Sequence, residues 1–301
     1  MNWNVLANIR MARPSFTVAA ISIILLWASP AKSGTTITQS TCPVLIAEPG
    51  EYNLRTDVGP CLPGVDGIDI VASGVLLHLN GHTINGSAVP AMCNINGVGI
   101  RVGLPTPAPM LSQVRVLGDG TISNFRRGFR AENSAGSFVK FVTVTAACSS
   151  AFSFGIEILA PGGEWKLQGN VVREPGATST GILVQTTDGN DLVRNDVNDS
   201  IVLRDSNNNT VVNNIANDNE GGIFVETLVT GSHNNDIHAN TTNNNSVGGG
   251  LSIDLRSTGN NITGNKSIGN LPFDMRDGNP SCDTNKWEGN HFNTANQSCI
   301  Q

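Results

Sequence analysis

The sequence contains an internal repeat, and this repeat limits the possible folds more than any other feature. A small residue followed by an apolar residue recurs along the chain, at Gly99-Ile100, Gly128-Phe129, Gly155-Ile156, Gly181-Ile182, Ser200-Ile201, Gly222-Ile223, Gly250-Leu251 and Asn270-Leu271. The mean spacing is about 24 residues. Repeats of this length are typical of solenoids, in which each repeat buries its apolar face against its neighbours.

A second set of positions has the same period. An apolar residue stands three positions before an asparagine at Leu167 and Asn170, Leu192 and Asn195, Val211 and Asn214, Ile237 and Asn240, Ile262 and Asn265, and Trp287 and Asn290. These asparagines are again about 24 residues apart on average. Two sets of positions with one period indicate a structural repeat.

Within the repeats, apolar residues occupy alternate positions, as at Ile182 and Val184, Ile201 and Leu203, Ile223 and Val225, Leu251 with Ile253 and Leu255, and Phe273 with Met275. This alternation predicts short strands with one buried face. Together with the period, it predicts an all-β, single-domain parallel β-helix whose coils lie about 4.8 Å apart. Asparagine tolerates the left-handed backbone of sharp corners, and stacked amides form a hydrogen-bonded ladder.

The first 33 residues have the features of a secretory signal peptide. Arg10 and Arg13 precede an apolar run from Val18 to Trp27, and small residues around Lys32 suit cleavage near Ser33. The run is shorter than the roughly 20 residues that span a bilayer, so a retained anchor is the weaker alternative. We therefore expect a secreted or periplasmic protein with no membrane span in the mature chain.

The mature chain is acidic. Removing residues 1–33 takes away three basic residues and no acid, which changes the formal charge from -6 to -9. This balance disfavours nucleic acids and anionic membrane surfaces as partners, because binding to phosphate begins with a basic patch. It also disfavours a strongly anionic glycan unless a metal or a local arginine cluster intervenes.

All six cysteines follow the signal, at Cys42, Cys61, Cys93, Cys148, Cys282 and Cys299. An even number in an exported chain indicates disulfides, although six cysteines allow 15 pairings. Short terminal loops favour Cys42 with Cys61 and Cys282 with Cys299, which leaves Cys93 with Cys148. A zinc site is the alternative, but no two cysteines have the close spacing that structural zinc prefers.

Several stretches resemble a known family. They are ASGVLLHLNGHTING from Ala72 to Gly86, the GI.V strands, the N.I..N turns and the ending NPSCDTNKWEGNHFNTANQSCI. They resemble the right-handed parallel β-helix repeat proteins of the pectate-lyase-like superfamily, which include carbohydrate-binding proteins, sugar hydrolases, lyases and epimerases, and a periplasmic protein of copper-site maturation. The resemblance implies a right-handed β-helix over nearly the whole mature chain. Its motifs are structural and do not specify an activity.

We predict four regions. They are the signal peptide over residues 1–33, an N-terminal cap with the strand that leads into the solenoid over 34–70, the β-helix coils over 71–276, and a disulfide-bearing C-terminal closure over 277–301. Both ends need closing because an exposed terminal coil offers unpaired backbone groups to other molecules.

One outward column of side chains is predicted four positions after each small residue, because inward and outward side chains alternate along a strand. It consists of Glu132, Leu159, Gln185, Arg204, Glu226, Asp254 and Asp274, with Arg256 and Arg276 two positions further along. The candidate ligand-binding residues are Arg204, Glu226, Asp254, Arg256, Asp274 and Arg276. Glu226 and Asp254, about 5 Å apart at the backbone, are the candidate catalytic pair.

Paired carboxylates beside arginines suit glycan chemistry, in which one acid donates a proton while another stays ionised. A lyase would instead use an arginine or lysine as the base and a cation such as Ca²⁺ to neutralise a uronate. No other cofactor and no metal site is expected. The alternative is a solvated face whose opposite charges stabilise neighbouring strands. The Asp-Pro-His-Asp stretch of alginate epimerases and the Asn-Thr-Asp, Asp-Asp and Gly-His-Gly set of polygalacturonases are both missing.

The remaining polar and aromatic candidates are predicted to be structural. His78, His82, His233, His238 and His291 are expected to be surface or turn residues, because their spacing need not make them converge on strands and turns. Asp119 in GDGTISNF is expected to be a turn residue. Trp165 and Trp287 have the chemistry of sugar-stacking platforms, but Trp287 shares a column with Ile237 and Ile262, which predicts a core position.

The leading functional hypothesis is an exported β-helix that binds or organises an extracellular or cell-envelope poly- or oligosaccharide without a catalytic centre. The first alternative is a polysaccharide lyase, hydrolase or epimerase that acts through Arg204, Glu226, Asp254 and Asp274. The second is an architectural solenoid that presents its loops to another protein.

Overall fold

The computed structural model describes residues 34–87, 94–104, 108–145, 153–173 and 179–301. The predicted signal and the predicted Cys93–Cys148 disulfide lie outside these residues. The described strands are β1 (Thr35–Ile37), β2 (Val44–Ile46), β3 (Gly50–Leu54), β4 (Ile68–Ile70), β5 (Val75–His78), β6 (Thr83–Asn85), β7 (Asn94–Val102), β8 (Leu111–Ser112), β9 (Arg115–Leu117), β10 (Thr121–Ser123), β11 (Phe125–Ala135), β12 (Phe138–Lys140), β13 (Thr143–Thr145), β14 (Phe154–Gly163), β15 (Lys166–Gln168), β16 (Val171–Arg173), β17 (Thr180–Gln185), β18 (Asp191–Val193), β19 (Asp196–Asn198), β20 (Ile201–Arg204), β21 (Thr210–Val212), β22 (Ile223–Glu226), β23 (Asp236–His238), β24 (Thr241–Asn243), β25 (Leu251–Ile253), β26 (Asn261–Thr263), β27 (Lys266–Ile268), β28 (Met275–Asp277), β29 (Lys286–Glu288) and β30 (His291–Phe292). A short 3₁₀ helix spans Pro280–Cys282.

The strands stack into three parallel sheets, which we call A, B and C. Sheet A has the order β1-β3-β5-β9-β12-β15-β18-β21-β23-β26-β29, and sheet B has the order β2-β4-β7-β11-β14-β17-β20-β22-β25-β28. Sheet C consists of β6-β10-β13-β16-β19 and β24-β27-β30, which Ile215 connects by bridging Asp196 and Thr241. Each complete turn of the chain passes from A to C to B. This arrangement confirms the predicted all-β parallel β-helix.

The core is a set of aliphatic columns along the axis. In sheet B, Ile182, Ile201, Ile223, Leu251 and Met275 are paired in register from strand to strand, and each is fully buried. In sheet A, the predicted column continues to Trp287, which pairs with Ile262 and is buried. Inward positions are apolar because they have no access to water, which is the reason for the period-two pattern in the sequence.

Glycine is required where several strands of sheet B begin. A Cβ on Gly128 would lie 2.7 Å from the carbonyl oxygen of Gly155, and a Cβ on Gly222 would lie 2.0 Å from that of Gly250. Carbon and oxygen atoms do not approach so closely without a bond, so a side chain here would force the stacked turns apart. Glycine at these positions is therefore a packing requirement.

Asparagine forms three ladders, one at each corner of the coil. The corner between sheets A and C contains the predicted ladder, Asn170, Asn195, Asn214, Asn240, Asn265 and Asn290. The corner between B and A contains Asn190, Asn209, Asn235, Asn260 and Asn285, and the corner between C and B contains Asn219, Asn245 and Asn270. Asn214 shows the pattern, because its Nδ2 donates to Oδ1 of Asn240 on the next turn and to the carbonyl of Leu192 on the previous one.

The alignment of the last repeat is different from the prediction. Leu251 pairs with Met275, so Asp274 and not Asn270 follows Gly250 in the small-residue position. Asn270 instead continues the ladder of Asn245 at the corner between C and B. Asn270 resembles the start of a repeat because an apolar residue, Leu271, follows it, but Leu271 is exposed.

Disulfides lie at both ends of the solenoid. Cys42 bonds to Cys61, and Cys282 bonds to Cys299, with Cα atoms 5.4 and 6.1 Å apart. These are the two short-loop pairs expected from the sequence. Loops of 19 and 17 residues stabilise the folded chain by roughly 3 kcal/mol each in the chain-entropy model. No helix within the described ranges has both the length and the hydrophobicity that crossing a membrane would need.

Candidate functional site

A row of charged side chains lies on the outward face of sheet B. Asp69 pairs with Arg101, Arg101 with Arg130, and Arg130 with Glu157, so four successive turns place one charge each at the same height of the sheet. Their neighbours along each strand, such as Ile68, Ile100 and Phe129, are fully buried in the core. Strand alternation therefore directs the charged residues outward.

Three further residues complete a network that we call the charged face. Its members are Asp66, Asp69, Arg101, Arg127, Arg130, Glu132 and Glu157. They come from the end of the loop before β4 and from β4, β7, β11 and β14. The set holds four carboxylates and three guanidiniums, which gives it nearly balanced charge.

Arg101 contacts three carboxylates at once. Its Nε lies 2.7 Å from Oδ2 of Asp66 and 3.7 Å from Oδ1 of Asp69, and its Nη1 lies 3.2 Å from Oε1 of Glu132. Asp66 also accepts the backbone N–H of Val98 at 2.7 Å, which fixes its carboxylate beside β7. Arg101 is thus the cation that makes the three acids compatible with one another.

Arg130 and Arg127 form the second half of the network. Arg130 Nη2 donates to Oε2 of Glu132 at 2.8 Å, and its Nη1 lies 3.4 Å from Oε2 of Glu157. The same oxygen of Glu157 is 3.1 Å from Nε of Arg127. Arg127 also lies over the ring of Phe154, with 5.8 Å from its guanidinium carbon to the ring centroid.

The side chains of the charged face are more buried than ionised groups usually are. The side chains of Glu157 and Glu132 are 6% and 10% exposed, and the three arginines are about one-fifth exposed. Burial raises the pKa of Glu157 above its usual range, against the opposing effect of Arg130 and Arg127. Burial, and then the charge of Asp66, raise the pKa of Asp69 to about 6. Asp69 is therefore partly protonated near neutral pH.

Some buried atoms of this network have no hydrogen-bond partner among the described residues. They are Oδ1 of Asp69, Oε2 of Glu157, and Nε of Arg127 and of Arg130. Nε of Arg127 and Oε2 of Glu157 form an ion pair of 3.1 Å without the geometry of a hydrogen bond, and Oδ1 of Asp69 lies 3.7 Å from Nε of Arg101, too far for one. Buried polar atoms in proteins are normally hydrogen-bonded, so donors and acceptors left over on one surface call for an explanation.

The two predicted catalytic carboxylates, Glu226 and Asp254, each lie beside an arginine. Arg204 and Glu226 are in register on β20 and β22 and form an ion pair of 2.6 Å. The Asp254 carboxylate lies 3.9 Å from Nη1 of Arg276 and 3.4 Å from the backbone N–H of Thr227. Each carboxylate thus faces a cation of its own. This arrangement is that of a solvated sheet face on which opposite charges pair between neighbouring strands.

Two other members of the predicted column are misplaced. Asp274 is 1% exposed, and it accepts backbone N–H groups from Asn270, Asn293 and Thr294. Burial opposes its ionisation, but these donors lower the pKa of Asp274 below its ordinary value. Gly278 occupies the position that follows Asp254 in the column. The N–H of Gly278 donates to the carbonyl of Ile253, just as the N–H of Asp254 donates to the carbonyl of Val225 on the turn before. Arg256 lies in the corner after β25 with a φ of 75°.

Sequence reasoning found only Glu132 of the charged face. Three more members occupy a regular position in the repeat. Arg101, Arg130 and Glu157 stand two positions after the small residues Gly99, Gly128 and Gly155. Two positions further along the strand the side chain again points outward. Asp66 and Arg127 carry no such signal, since Asp66 lies before its strand and Arg127 precedes the small residue.

The other candidates have structural partners. Trp165 is 1% exposed, packs edge-on against Phe129, and donates its Nε1–H to the carbonyl of Ser134. Trp287 donates to the buried carboxylate of Asp277. His233 lies in a shallow groove at the corner between B and A, 3.1 Å from Oγ1 of Thr258. Within the described part of the chain, no three His, Cys, Asp or Glu side chains converge as a metal site would require.

Several solved structures share the fold of this chain. The periplasmic alginate epimerase AlgG superposes with a TM-score of 0.52 at 16% identity, covering 77% of this chain and 57% of that one. A variant of AlgG gives 0.55 at 14%, covering 83% and 74%. The A-module of the Azotobacter vinelandii mannuronan C-5 epimerase AlgE6 gives 0.51 at 13%, covering 89% and 88%.

These identities show a shared fold and no more. The chain spans less than two thirds of the length of the first two AlgG structures that it matches, 65% and 57%. No protein-family model matches the sequence. No curated protein matches it either.

Proposed function

We propose that the protein binds an oligo- or polysaccharide on the outward face of sheet B, outside the cytoplasm, with the charged face as the principal contact. The observation that carries this proposal is the set of buried donors and acceptors on that face that lack hydrogen-bond partners among the described residues. A buried polar atom without a hydrogen bond costs about 1–3 kcal/mol, and the ion pairs of this face offset only part of that cost. A ligand rich in hydroxyl groups supplies both donors and acceptors within one small area.

The alternation of acids and arginines also supports a sugar ligand. Carboxylates accept hydrogen bonds from sugar hydroxyls, and guanidinium groups donate to sugar oxygens in a fixed planar geometry. Arg101 and Arg130 are held by carboxylates on both sides, so their remaining N–H groups have defined directions. A preorganised surface loses less conformational entropy when it binds its ligand.

The fold likeness supports the ligand class. AlgG and AlgE6 are named for alginate and mannuronan, which are polysaccharides. Ligands of solenoids occupy their extended surfaces, since the stacked turns present a long regular face. Disulfides at both ends support an oxidising compartment, either the periplasm or the exterior of the cell.

Binding is proposed in preference to cleavage at the Glu226 and Asp254 column. Each of these carboxylates faces its own arginine, Arg204 or Arg276. An acid that protonates a leaving oxygen needs a carboxyl that can reach the substrate, whereas these two lie against arginines. We therefore propose that this column stabilises the sheet and that its only role toward a ligand is contact.

The test uses calorimetric titration of residues 34–301 with neutral and uronic-acid oligosaccharides. Arg130→Lys keeps the charge but loses the simultaneous contact with Glu132 and Glu157, so we expect affinity to fall about tenfold or more. Arg173→Lys is the matched control, because Arg173 also pairs with a carboxylate, Asp196, but on sheet C. Equal loss in both variants, or no binding by the unaltered protein, would refute the proposal.

A second candidate function is acid–base catalysis at the charged face. Burial, and then the charge of Asp66, raise the pKa of Asp69 to about 6, so Asp69 is partly protonated near neutral pH. A carboxylic acid with a raised pKa is the general acid of glycoside hydrolysis. A uronate lyase would also need a cation such as Ca²⁺ to neutralise the sugar carboxylate, whereas hydrolysis would not.

This candidate is tested with Asp69→Asn, against Asp196→Asn on sheet C as the control. New reducing ends report hydrolysis, absorbance of unsaturated uronates reports a lyase, and deuterium uptake from solvent reports epimerisation. We expect any turnover to be lost in Asp69→Asn and retained in Asp196→Asn. Turnover that survives Asp69→Asn would exclude this acid as the catalyst.

A further inference from the structure

A pocket lies on the same side of the solenoid, several turns beyond the charged face. We call it the rim pocket, and it is lined by Ser179, Asp199, Ser200, Glu220, Gly221, Phe224, Val247 and Gly248. Its volume is about 190 Å³. Residues 199–200, 220–221 and 247–248 lie shortly before β20, β22 and β25, so three successive turns form most of the pocket, and Ser179, just before β17, adds a fourth.

Phe224 provides the aromatic surface of the rim pocket. It is an outward residue of β22, in register with Val202 and Ser252 on the neighbouring strands. Gly221 and Gly248 pack directly against its ring, since a Cβ on either would lie 2.3 or 2.5 Å from ring carbons. The missing side chains at these glycines leave room for the ring at the wall of the pocket.

Asp199 and Glu220 provide the acidic surface. Asp199 accepts the hydroxyl of Ser179 at Oδ2 and the backbone N–H of Ser200 at Oδ1, 3.2 Å away. Burial, opposed by these bonds, raises the pKa of Asp199 to about 6, and the charge of Glu220 adds to the rise. Among the described residues, none that lines the pocket is basic.

The walls of the pocket are held by hydrogen bonds between turns. Nδ2 of Asn219 donates to the carbonyl of Asp199 at 2.9 Å. The carbonyl of Glu220 accepts N–H groups of both Val247 and Gly248, at 3.0 and 2.8 Å. The three turns are thus fixed relative to one another, and the pocket does not depend on ligand for its shape.

We infer that the rim pocket binds one uncharged sugar residue, with the sugar ring against Phe224 and its hydroxyls donating to Asp199 and Glu220. A pocket with an apolar wall and a few convergent polar groups is typical of small-ligand sites. The volume is below the range for drug-sized molecules, which fits a single monosaccharide unit. Two carboxylates in one small pocket repel a uronate, so the ligand unit is neutral.

This inference rests on the proposed carbohydrate function but on different residues. The charged face lies on β4 to β14, whereas the rim pocket lies beside β20 to β25. A chain of sugars along sheet B would contact both, while a short neutral oligosaccharide would occupy the rim pocket alone.

The experiment titrates short neutral oligosaccharides and their uronic-acid counterparts into the unaltered protein and three variants. Phe224→Ala removes the aromatic wall, and Gly221→Ala leaves Phe224 in place but forces its ring to move. Phe141→Ala is the control, because Phe141 is an exposed phenylalanine at another corner. We expect a tenfold or larger loss of affinity for the neutral sugars in the first two variants and none in the control. Thermal unfolding of each variant verifies that it is folded.

The outcomes separate this inference from the proposed function. If the unaltered protein binds no sugar, the proposed function fails and the inference fails with it. If binding is lost in Arg130→Lys but neutral-sugar affinity is unchanged in Phe224→Ala and Gly221→Ala, only the rim pocket inference is wrong. The assigned ligand class would be wrong if the unaltered protein bound uronic-acid oligosaccharides more tightly than neutral ones and Phe224→Ala removed this preference.

Discussion

Arg204 and Glu226 occupy paired positions on neighbouring strands, and both Nε and Nη2 of the guanidinium contact the same carboxylate oxygen, at 2.8 and 2.6 Å. Both side chains are about 30% exposed. The pair therefore behaves as a cross-strand ion pair of a solvated sheet face. This relationship bears directly on the function that the sequence suggested for Glu226.

Glu226→Gln should have a small effect on stability. The substitution keeps the shape and one acceptor while it removes the charge, so we expect a loss of about 0.5–1 kcal/mol in the free energy of unfolding. Urea denaturation at low and high salt measures it, and salt should reduce the difference. If the protein proves to be an enzyme and this variant abolishes turnover with unchanged stability, Glu226 is catalytic and our assignment is wrong.

Asn240→Ala should destabilise the solenoid strongly. It deletes the acceptor for the N–H and the Nδ2 of Asn214, and these groups are buried. Unsatisfied buried donors cost about 1–3 kcal/mol, so we expect a loss of about 3 kcal/mol in unfolding free energy. Asn293→Ala, at an exposed position, is the control. Similar losses in the two variants would mean that the ladder contributes little beyond solvation.

Arg101→Met should make stability more sensitive to pH. Without the guanidinium, Asp69 has to ionise beside Asp66 with no cation to offset the repulsion, which raises the pKa of Asp69 further in the folded state. The folded state then holds more protons than the unfolded one, so stability falls as pH rises from about 4 to about 7. Melting temperatures over this range measure the slope. Arg173→Met on sheet C should not steepen it, and an equal slope in both variants would contradict the prediction.

Asp199→Asn should stabilise the protein at neutral pH. The folded-state pKa of about 6 lies above the ordinary 3.8, so the unaltered protein loses stability as pH rises between these values and keeps that deficit above them. The variant has no carboxylate to ionise and keeps an acceptor for Ser179. After allowance for solvent screening of this partly exposed group, the gain above pH 6 should be about 1 kcal/mol. The gain should shrink toward pH 4, and a constant difference would indicate another cause.

The repeat made the fold predictable from the sequence. Apolar residues at alternate positions and asparagines at corners recur because each turn meets the same environment as the previous turn. The inward columns of Ile182 and Leu167 and the asparagine ladder could therefore be predicted from the spacing of residues alone. The short-loop disulfides could be predicted because their cysteines are close in sequence.

Residue spacing alone does not locate every repeat, because the corners differ in length. Successive asparagines of one ladder are 19 residues apart from Asn190 to Asn209 and 26 from Asn209 to Asn235. The last repeat was assigned to Asn270 because an apolar residue, Leu271, follows it, although Asp274 is the residue in register with Gly250. Asp274 was thus expected on the surface but is buried.

The sequence by itself determined the stacked β-helix, its aliphatic core, its asparagine corners and its terminal disulfides, because each depends on a pattern that repeats or on residues close in the chain. Only the tertiary structure decided which side chains meet on the surface. Asp66 and Glu157 belong to one network although 91 residues separate them. Their meeting depends on how each corner sets the register of the next turn, and hydrogen bonding between turns, not local sequence, sets that register.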